Sequence, residues 1–405
     1  MNKCISSKGV LMATLAAMML LATSCIYPDK HEPGELLLAP LPSYGAAPLI
    51  RVKLSKATGA ETINVNASKG YLTLDGQRRE FSGALSLTHS GGLVQVAEQG
   101  AATMVEIEPT GDPAWFELDG RIYRGHLRLL AGHGGWEVVN VVDLEQYIAG
   151  VIGWEMIASW PLEALKAQAI ASRTYALFEM ERAREAKRQW DLDDTTQYQV
   201  YGGVGPVDKP NQWRETANVL AAREQTNGMV MTWQGKGFRA FFHSTSGGHT
   251  VDPRTGLGVD DSIPPLAGVD LGEYAKESPK FQWTQKLEDR ELAARLIENG
   301  ISPHELLRVE AHETAVSGHA ITLKLYDRTG HSSIVAATVF RHALGLFSTN
   351  FTATKTGSEW TFTGKGYGHG CGMCQWSARG MAKAGLDSNN IIETMYPGTV
   401  LKRLY

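Results

Sequence analysis

The stretch Asp143–Leu177, DLEQYIAGVIGWEMIASWPLEALKAQAIASRTYAL, constrains this chain most. Its apolar residues recur at helical spacing, but Pro161 cannot sit in a helix interior and is welcome only in a first turn. Two helices are therefore predicted: a short one over Leu144–Trp154, and a longer one that begins at Ser159-Trp-Pro161-Leu-Glu163 and runs to about Gln189. The longer helix carries a closely packable face of small residues, Ala164, Ala167, Ala171 and Ala176. One carboxylate, Glu155, falls at the junction between Trp154, Met156, Ile157 and Trp160. Apolar surroundings disfavour the charged form of a carboxyl and raise its pKa, which suits a general acid. The competing reading for Glu155 is an exposed or salt-bridged glutamate at a helix end.

The text on either side of this stretch is of two kinds. From Pro48 to about Asn140 short alternating runs, LIRVKL, YLTLDG, TMVEIE, WFELDG and HLRLLA, are separated by glycine-bearing turns and predict strands. After the two helices, a third is predicted over about Asn211–Thr226, then a hairpin with MVMTW and FRAFFHS as its arms and QGKG as its turn. A helix over Asp289–Glu298 should be capped by Asp289 and stopped by Gly300, with strands near Leu306–Glu313, Ala320–Asp327 and Trp360–Gly364. Two short helices, Ser377–Gly385 and Ser388–Tyr396, close the chain. The fold class is α+β, a β-rich region over 47–140 followed by a mixed helix and strand domain over 141–405. The Gly-, Pro- and Asp-rich loop from Thr250 to Lys280 is long enough for a lid over a groove, a role its composition leaves open.

Ahead of the strands, Lys3 and Lys8 precede the apolar run Val10–Leu21, which is too short to span a bilayer and ends in Ala22, Thr23 and Ser24 before Cys25. Residues 1–24 read as a secretory signal peptide, and the cysteine that follows resembles a bacterial lipoprotein cleavage box, with Ala22 where leucine is commoner. Cys25 is the expected lipidation site, and the proline-bearing, charged segment 25–46 reads as a tether to the membrane through that lipid. A balance of 39 Lys and Arg against 43 Asp and Glu gives a nucleic-acid partner no electrostatic support. Beyond the signal only Cys371 and Cys374 remain, so a hydrophobic core rather than a disulfide framework must hold the fold.

Polar side chains among glycines mark three further segments, since glycine lets backbone approach a ligand closely. They are the Asp194–Gly203 run DTTQYQVYGG, the Phe242–Gly248 run FHSTSGG, and the Gly364–Trp376 run GKGYGHGCGMCQW. Tyr201, His243, Ser246, His369 and Gln375 are the candidates they supply for lining a groove around Glu155. His369, Cys371 and Cys374 spell H-x-C-x-x-C, three zinc-compatible ligands without an evident fourth. A local disulfide, or two small packed thiols, is the preferred account of the cysteines, and no cofactor motif is present.

Taken in order, LEQYIAGVIGWEM, PLEALKAQAIASRTYAL, DTTQYQVYGG, FFHSTSGGHT, GYGHGCGMCQWSARGMA and the closing Tyr396-Pro-Gly-Thr resemble the SpoIID/LytB domain family of sporulation stage II protein D and the amidase enhancer. The resemblance covers most of Asp143–Tyr405. It implies a bacterial cell-envelope protein, on the periplasmic side or at the outer membrane, that cleaves peptidoglycan glycan strands, preferably strands already stripped of stem peptides by an N-acetylmuramoyl-L-alanine amidase. It also implies that Glu155 is the catalytic residue of a lytic transglycosylase, which needs one acid that protonates the glycosidic oxygen and then removes a proton from the sugar's 6-hydroxyl. A hydrolase would want a second carboxylate opposite, for which Asp143 and Asp194 stay open. The alternative activity is a non-catalytic glycan-binding amidase enhancer; a thiol enzyme built on His369 with a cysteine is the third. Some members hold zinc through His and Cys in the segment that here reads Thr196-Gln197-Tyr198-Gln199, and this chain has neither residue there.

Overall fold

A computed structural model of the chain describes residues 36–405 apart from 43, 133, 260, 303 and 304. The expected signal peptide and the lipidation site Cys25 lie outside the described residues. The α+β class holds: a large sheet occupies the first part, and helices and smaller sheets follow.

The alternating runs form a twelve-stranded sheet. Its central order is Leu49–Lys53, Gly135–Asp143, His126–Gly132, Met104–Pro109, Thr62–Leu74 and Gln77–Ser90, each antiparallel to the next. In Thr62–Leu74 the buried positions, Ile63, Val65 and Leu72 among them, alternate with open ones on either side of a bulge at Ser68 and Lys69, the pattern of a sheet with one face on a core. Gly135–Asp143 departs from alternation and is buried on both faces over Val138–Val142, because the helix that follows folds back against it. Asp143 ends that strand and starts the helix Leu144–Glu155 by accepting the N–H groups of Glu145 and Gln146.

The long helix Leu162–Glu185 is buried along most of its length, which leaves its charged residues needing partners. Arg173 donates both Nε and Nη2 to Glu145 at 2.7 Å, and Arg239 donates to Glu179 at 2.6 Å. Charges so deeply buried are tolerable only when paired in this way.

Several elements differ from the sequence reading. The predicted arms do not pair with each other: Met229–Thr232 pairs with Val400–Arg403, Phe242–His243 of the second arm pairs in parallel with Met373–Cys374, Phe238 joins the turn residues Lys236 and Gly237 in a strand against Leu37–Pro40, and only a bridge between Trp233 and Lys236 links the two sides. Edges supplied by distant parts of the chain captured strands that local pattern assigned to each other. That same pairing, with Leu36 buried and the Tyr44 hydroxyl on Glu181, lays the later part of the proline-bearing segment on the folded body. The third helix is confined to Ala217–Gln225 with Thr216 as its cap, preceded by a separate turn at Pro210–Gln212. The 250–280 loop is no flap: Ile263, Leu266, Leu271 and Ala275 are buried in the main core.

A second hydrophobic cluster gathers Trp283, Leu292, Leu323, Phe340, Trp360 and Phe362. It lies between two three-stranded sheets and the helices Asp289–Glu298 and Ala337–Leu344. Asp289 is not the cap there; its carboxylate accepts from Lys355 Nζ and Trp360 Nε1.

Candidate active site

Glu155 is the last residue of the helix Leu144–Glu155, at the foot of a narrow pit of about 30 Å³. Tyr175, Thr196, Tyr198, Phe241, Phe242, His243, Ser244, His369 and Gln375 complete the wall. The pit admits little more than a water or the tip of a hydroxyl, so a sugar ring would lie across its mouth.

Two chain segments, distant in sequence, hold the carboxyl. The backbone N–H of Val200 donates to Glu155 Oε1 at 2.8 Å, and Gln375 Nε2 lies 3.3 Å from Oε2. Gln375 opens the helix Gln375–Lys383 and also donates to Gln168 Oε1, whose own amide donates to the Ser172 hydroxyl. Both donors on Glu155 are neutral, and burial outweighs them, pushing its pKa up to about 7. The carboxyl is therefore an acid near neutral pH that can also take a proton back.

The structure divides the sequence candidates. His243, His369 and Gln375 line the pit with Glu155. Tyr201 does not: it is buried behind the site helix, its ring against Gly150 and its hydroxyl donating to Asn140 Oδ1 at 2.9 Å. Ser246 is also buried away from the wall, where its N–H donates to Cys374 Sγ. The adjacent glycines that drew attention to Tyr201 serve instead to pack the Val200–Gly203 segment against the helix. Tyr175, Thr196, Tyr198, Phe241, Phe242 and Ser244 are lining residues that the motifs contained but that spacing could not single out.

His369 is held at both ring nitrogens, with Nε2 2.9 Å from Phe242 O and Nδ1 accepting from Cys371 N. Burial holds its pKa down at about 3, so the ring is neutral. His243 differs: Nδ1 lies 3.1 Å from Cys371 O, while the buried Nε2 has no hydrogen-bond partner among the described residues. A proton on Nδ1 for that carbonyl leaves Nε2 as an unpartnered buried acceptor.

Cys371 and Cys374 are free thiols, both buried, so of the two accounts of the pair the packed thiols hold and the local disulfide is not formed. Cys374 Sγ caps the helix Gln375–Lys383, accepting the N–H groups of Ser246 and Ser377. With both nitrogens of His369 engaged as well, the H-x-C-x-x-C donors do not converge, and no group of three metal-competent side chains occurs among the described residues.

Neither carboxylate left open as a second catalytic group reaches the pit. Asp143 caps the far end of the same helix, about 18 Å away at 1.5 Å per residue, and Asp194 accepts the N–H of Ser55. Glu155 is the one carboxylate among the lining residues.

Comparison with known proteins adds two family models and three relatives. A family model described as Stage II sporulation protein matches residues 132–233, the span that contains the site helix, and a domain of unknown function matches 269–372, around the second cluster. Stage II sporulation protein D of Bacillus subtilis is 31% identical over 268 residues, 64% of this chain and 75% of its own length. An uncharacterised protein of Brachyspira hyodysenteriae is 32% identical over 361 residues, 86% of this chain and 92% of its own, and the amidase enhancer of Bacillus subtilis is 28% identical over 310 residues, 63% and 40%.

Proposed function

Because the chain belongs to the family of stage II sporulation protein D, we propose that it cleaves the glycan strands of peptidoglycan as a lytic transglycosylase, with Glu155 as its acid and base. The observation that carries the reading is a single half-buried carboxyl, its pKa near 7, lining a pit that offers no second carboxylate. Such a group can protonate the glycosidic oxygen as the bond to C1 breaks, then take the proton of the same sugar's 6-hydroxyl as that oxygen closes on C1. One proton is given and one returned, so no water is consumed and no second carboxylate is required. Inverting or retaining hydrolysis would instead want a partner at roughly 5 to 9.5 Å.

The strand would be one from which stem peptides have been removed, and the protein would work in the cell envelope beside an amidase. The amidase enhancer among the relatives favours a second reading, a glycan-binding activator of an amidase without cleavage of its own. No helix among the described residues is long and apolar enough to cross a membrane, and attachment through a lipid on Cys25 is part of the proposal. Release of soluble fragments from stripped strands, lost in Glu155→Gln, tests the enzyme against the activator. An activator would stimulate the amidase equally well with glutamine at 155.

A further inference from the structure

The segment Val200–Gly203 touches the end of the site helix twice. Val200 N–H donates to Glu155 Oε1, and three residues on, Gly203 O accepts the indole N–H of Trp154 at 3.0 Å. At about 3.3 Å per extended residue the two contacts lie within about 10 Å of each other. Trp154, partly exposed, carries two guanidiniums over its ring: Arg121 Cζ and Arg214 Cζ each stand 4.8 Å from the ring centroid. The backbone is pressed onto this stack. A Cβ on Gly202 would come within 2.6 Å of Trp154 Cε2 and 2.7 Å of Arg121 Nη1, and a Cβ on Gly153 within 2.4 Å of Arg214 O.

Neither guanidinium makes an ion pair among the described residues. The acid next in sequence, Glu215, is taken by Arg124, which donates to it at 2.7 to 3.2 Å. Arg214 Nε is buried with no hydrogen-bond partner among the described residues. Two cations gathered on one ring, with a donor left unmet, fit an anion that is planar and accepts in pairs, which is the geometry of a carboxylate. Nor do these cations act on the acid: the Glu155 pKa is set by burial against two neutral donors, so the stack leaves its proton in place.

We infer that Arg121, Trp154 and Arg214 form a carboxylate-binding subsite beside Glu155, and that its ligand is the lactyl carboxylate of the muramic sugars in the glycan strand. The inference rests on the glycan reading above. A stem peptide ties that carboxylate up as a neutral amide, and its removal restores the charge, so the subsite gives a physical reason for a preference for stripped strands. Edge-to-face Trp115 and Trp213, with centroids 5.7 Å apart and Trp213 adjoining Arg214, extend the aromatic surface on which neighbouring sugars would lie.

The test uses amidase-stripped glycan strands in two forms, one with lactyl carboxylates intact and one with them coupled to methylamine. Calorimetry with the Glu155→Gln protein measures binding without cleavage, and the parent protein measures cleavage of both. The intact form should bind at least about ten-fold more tightly, with the margin shrinking as salt is raised, and Arg121→Gln should bring the two affinities together. Arg121 is exposed, so that variant keeps the fold; the comparison of strands on the parent protein needs no variant at all. Equal affinity for the two forms, or a preference that survives both Arg121→Gln and Arg214→Gln, would overturn the subsite and leave the glycan reading standing. Absence of binding and cleavage with either form would sink the glycan reading, and the subsite with it.

Discussion

Gln375 Nε2 lies 3.3 Å from Glu155 Oε2 across 220 residues of chain, so the N-terminus of one helix supports the carboxyl at the C-terminus of another. The amide steadies the carboxyl without bringing a charge, which is what a general acid near neutrality requires. Gln375→Glu should reverse this. A second acid at that spot would compete for one proton, and cleavage should fall by at least about ten-fold at pH 7 with the optimum displaced. An unchanged pH profile would show that Gln375 does not act on Glu155.

The pH dependence follows from the direction of the Glu155 shift. Its pKa rises from 4.5 to about 7 on folding, so the acid is available below about pH 7 and cleavage should decline above it. Stability moves the same way. The folded state holds the proton more tightly than the unfolded chain, so stability is full below about pH 4.5 and falls as pH rises through about 7. The penalty at higher pH is on the order of 3 kcal/mol, and Glu155→Gln should relieve it. Melting curves should therefore show the variant gaining on its parent between pH 5 and 8; a constant difference would place the pKa elsewhere.

The two histidines on the pit wall should separate by role. His369 satisfies a carbonyl and an N–H of buried backbone, so His369→Ala should cost roughly 2 to 4 kcal/mol of stability, with activity falling alongside. His243 serves one buried carbonyl, that of Cys371, and otherwise carries an unpartnered Nε2, so His243→Phe should cost roughly 1 to 3 kcal/mol of stability while weakening cleavage by ten-fold or more, a larger loss than its stability change explains. Equal effects in both assays for His243 would make it structural as well.

Much of the fold was legible because it rests on local rules. The break at Pro161 and the alternating strands ahead of Asn140 are each set by residues a few positions apart. The hairpin of MVMTW and FRAFFHS made its turn, where Trp233 and Lys236 exchange hydrogen bonds across Gln234 and Gly235, but other strands outcompeted its arms for each other. In the site, the choice of Glu155 was readable, but the apolar neighbours that suggested it do not form its walls: Ile157 is exposed, and Tyr175, Phe241 and Phe242 enclose the carboxyl instead. Its bond to Gln375 was not readable, since nothing in either segment encodes a contact over that span. Tyr201 misled because glycines beside an aromatic signal close packing as readily as ligand approach, and here they pack it against Gly150.

The thiols make a further test. Cys374 acts as a helix cap, a task a serine hydroxyl performs well, so the double change Cys371→Val, Cys374→Ser should leave cleavage within a few-fold of the parent. Reductant should not shift the melting temperature of the unaltered protein, because both sulfurs are free. A large reductant-dependent shift, or stoichiometric zinc lost together with activity in the double variant, would contradict this assignment.

The most direct measurement is the chemistry of the new chain end. Purified protein, with Glu155→Gln as control, should be incubated with amidase-stripped glycan strands and the fragments weighed by mass spectrometry. We expect 1,6-anhydro ends from the parent protein and a loss of at least about 10² to 10⁴-fold with glutamine at 155. Fragments heavier by one water, with reducing ends, or cleavage that persists in the variant, would contradict a single carboxyl acting as acid and then base.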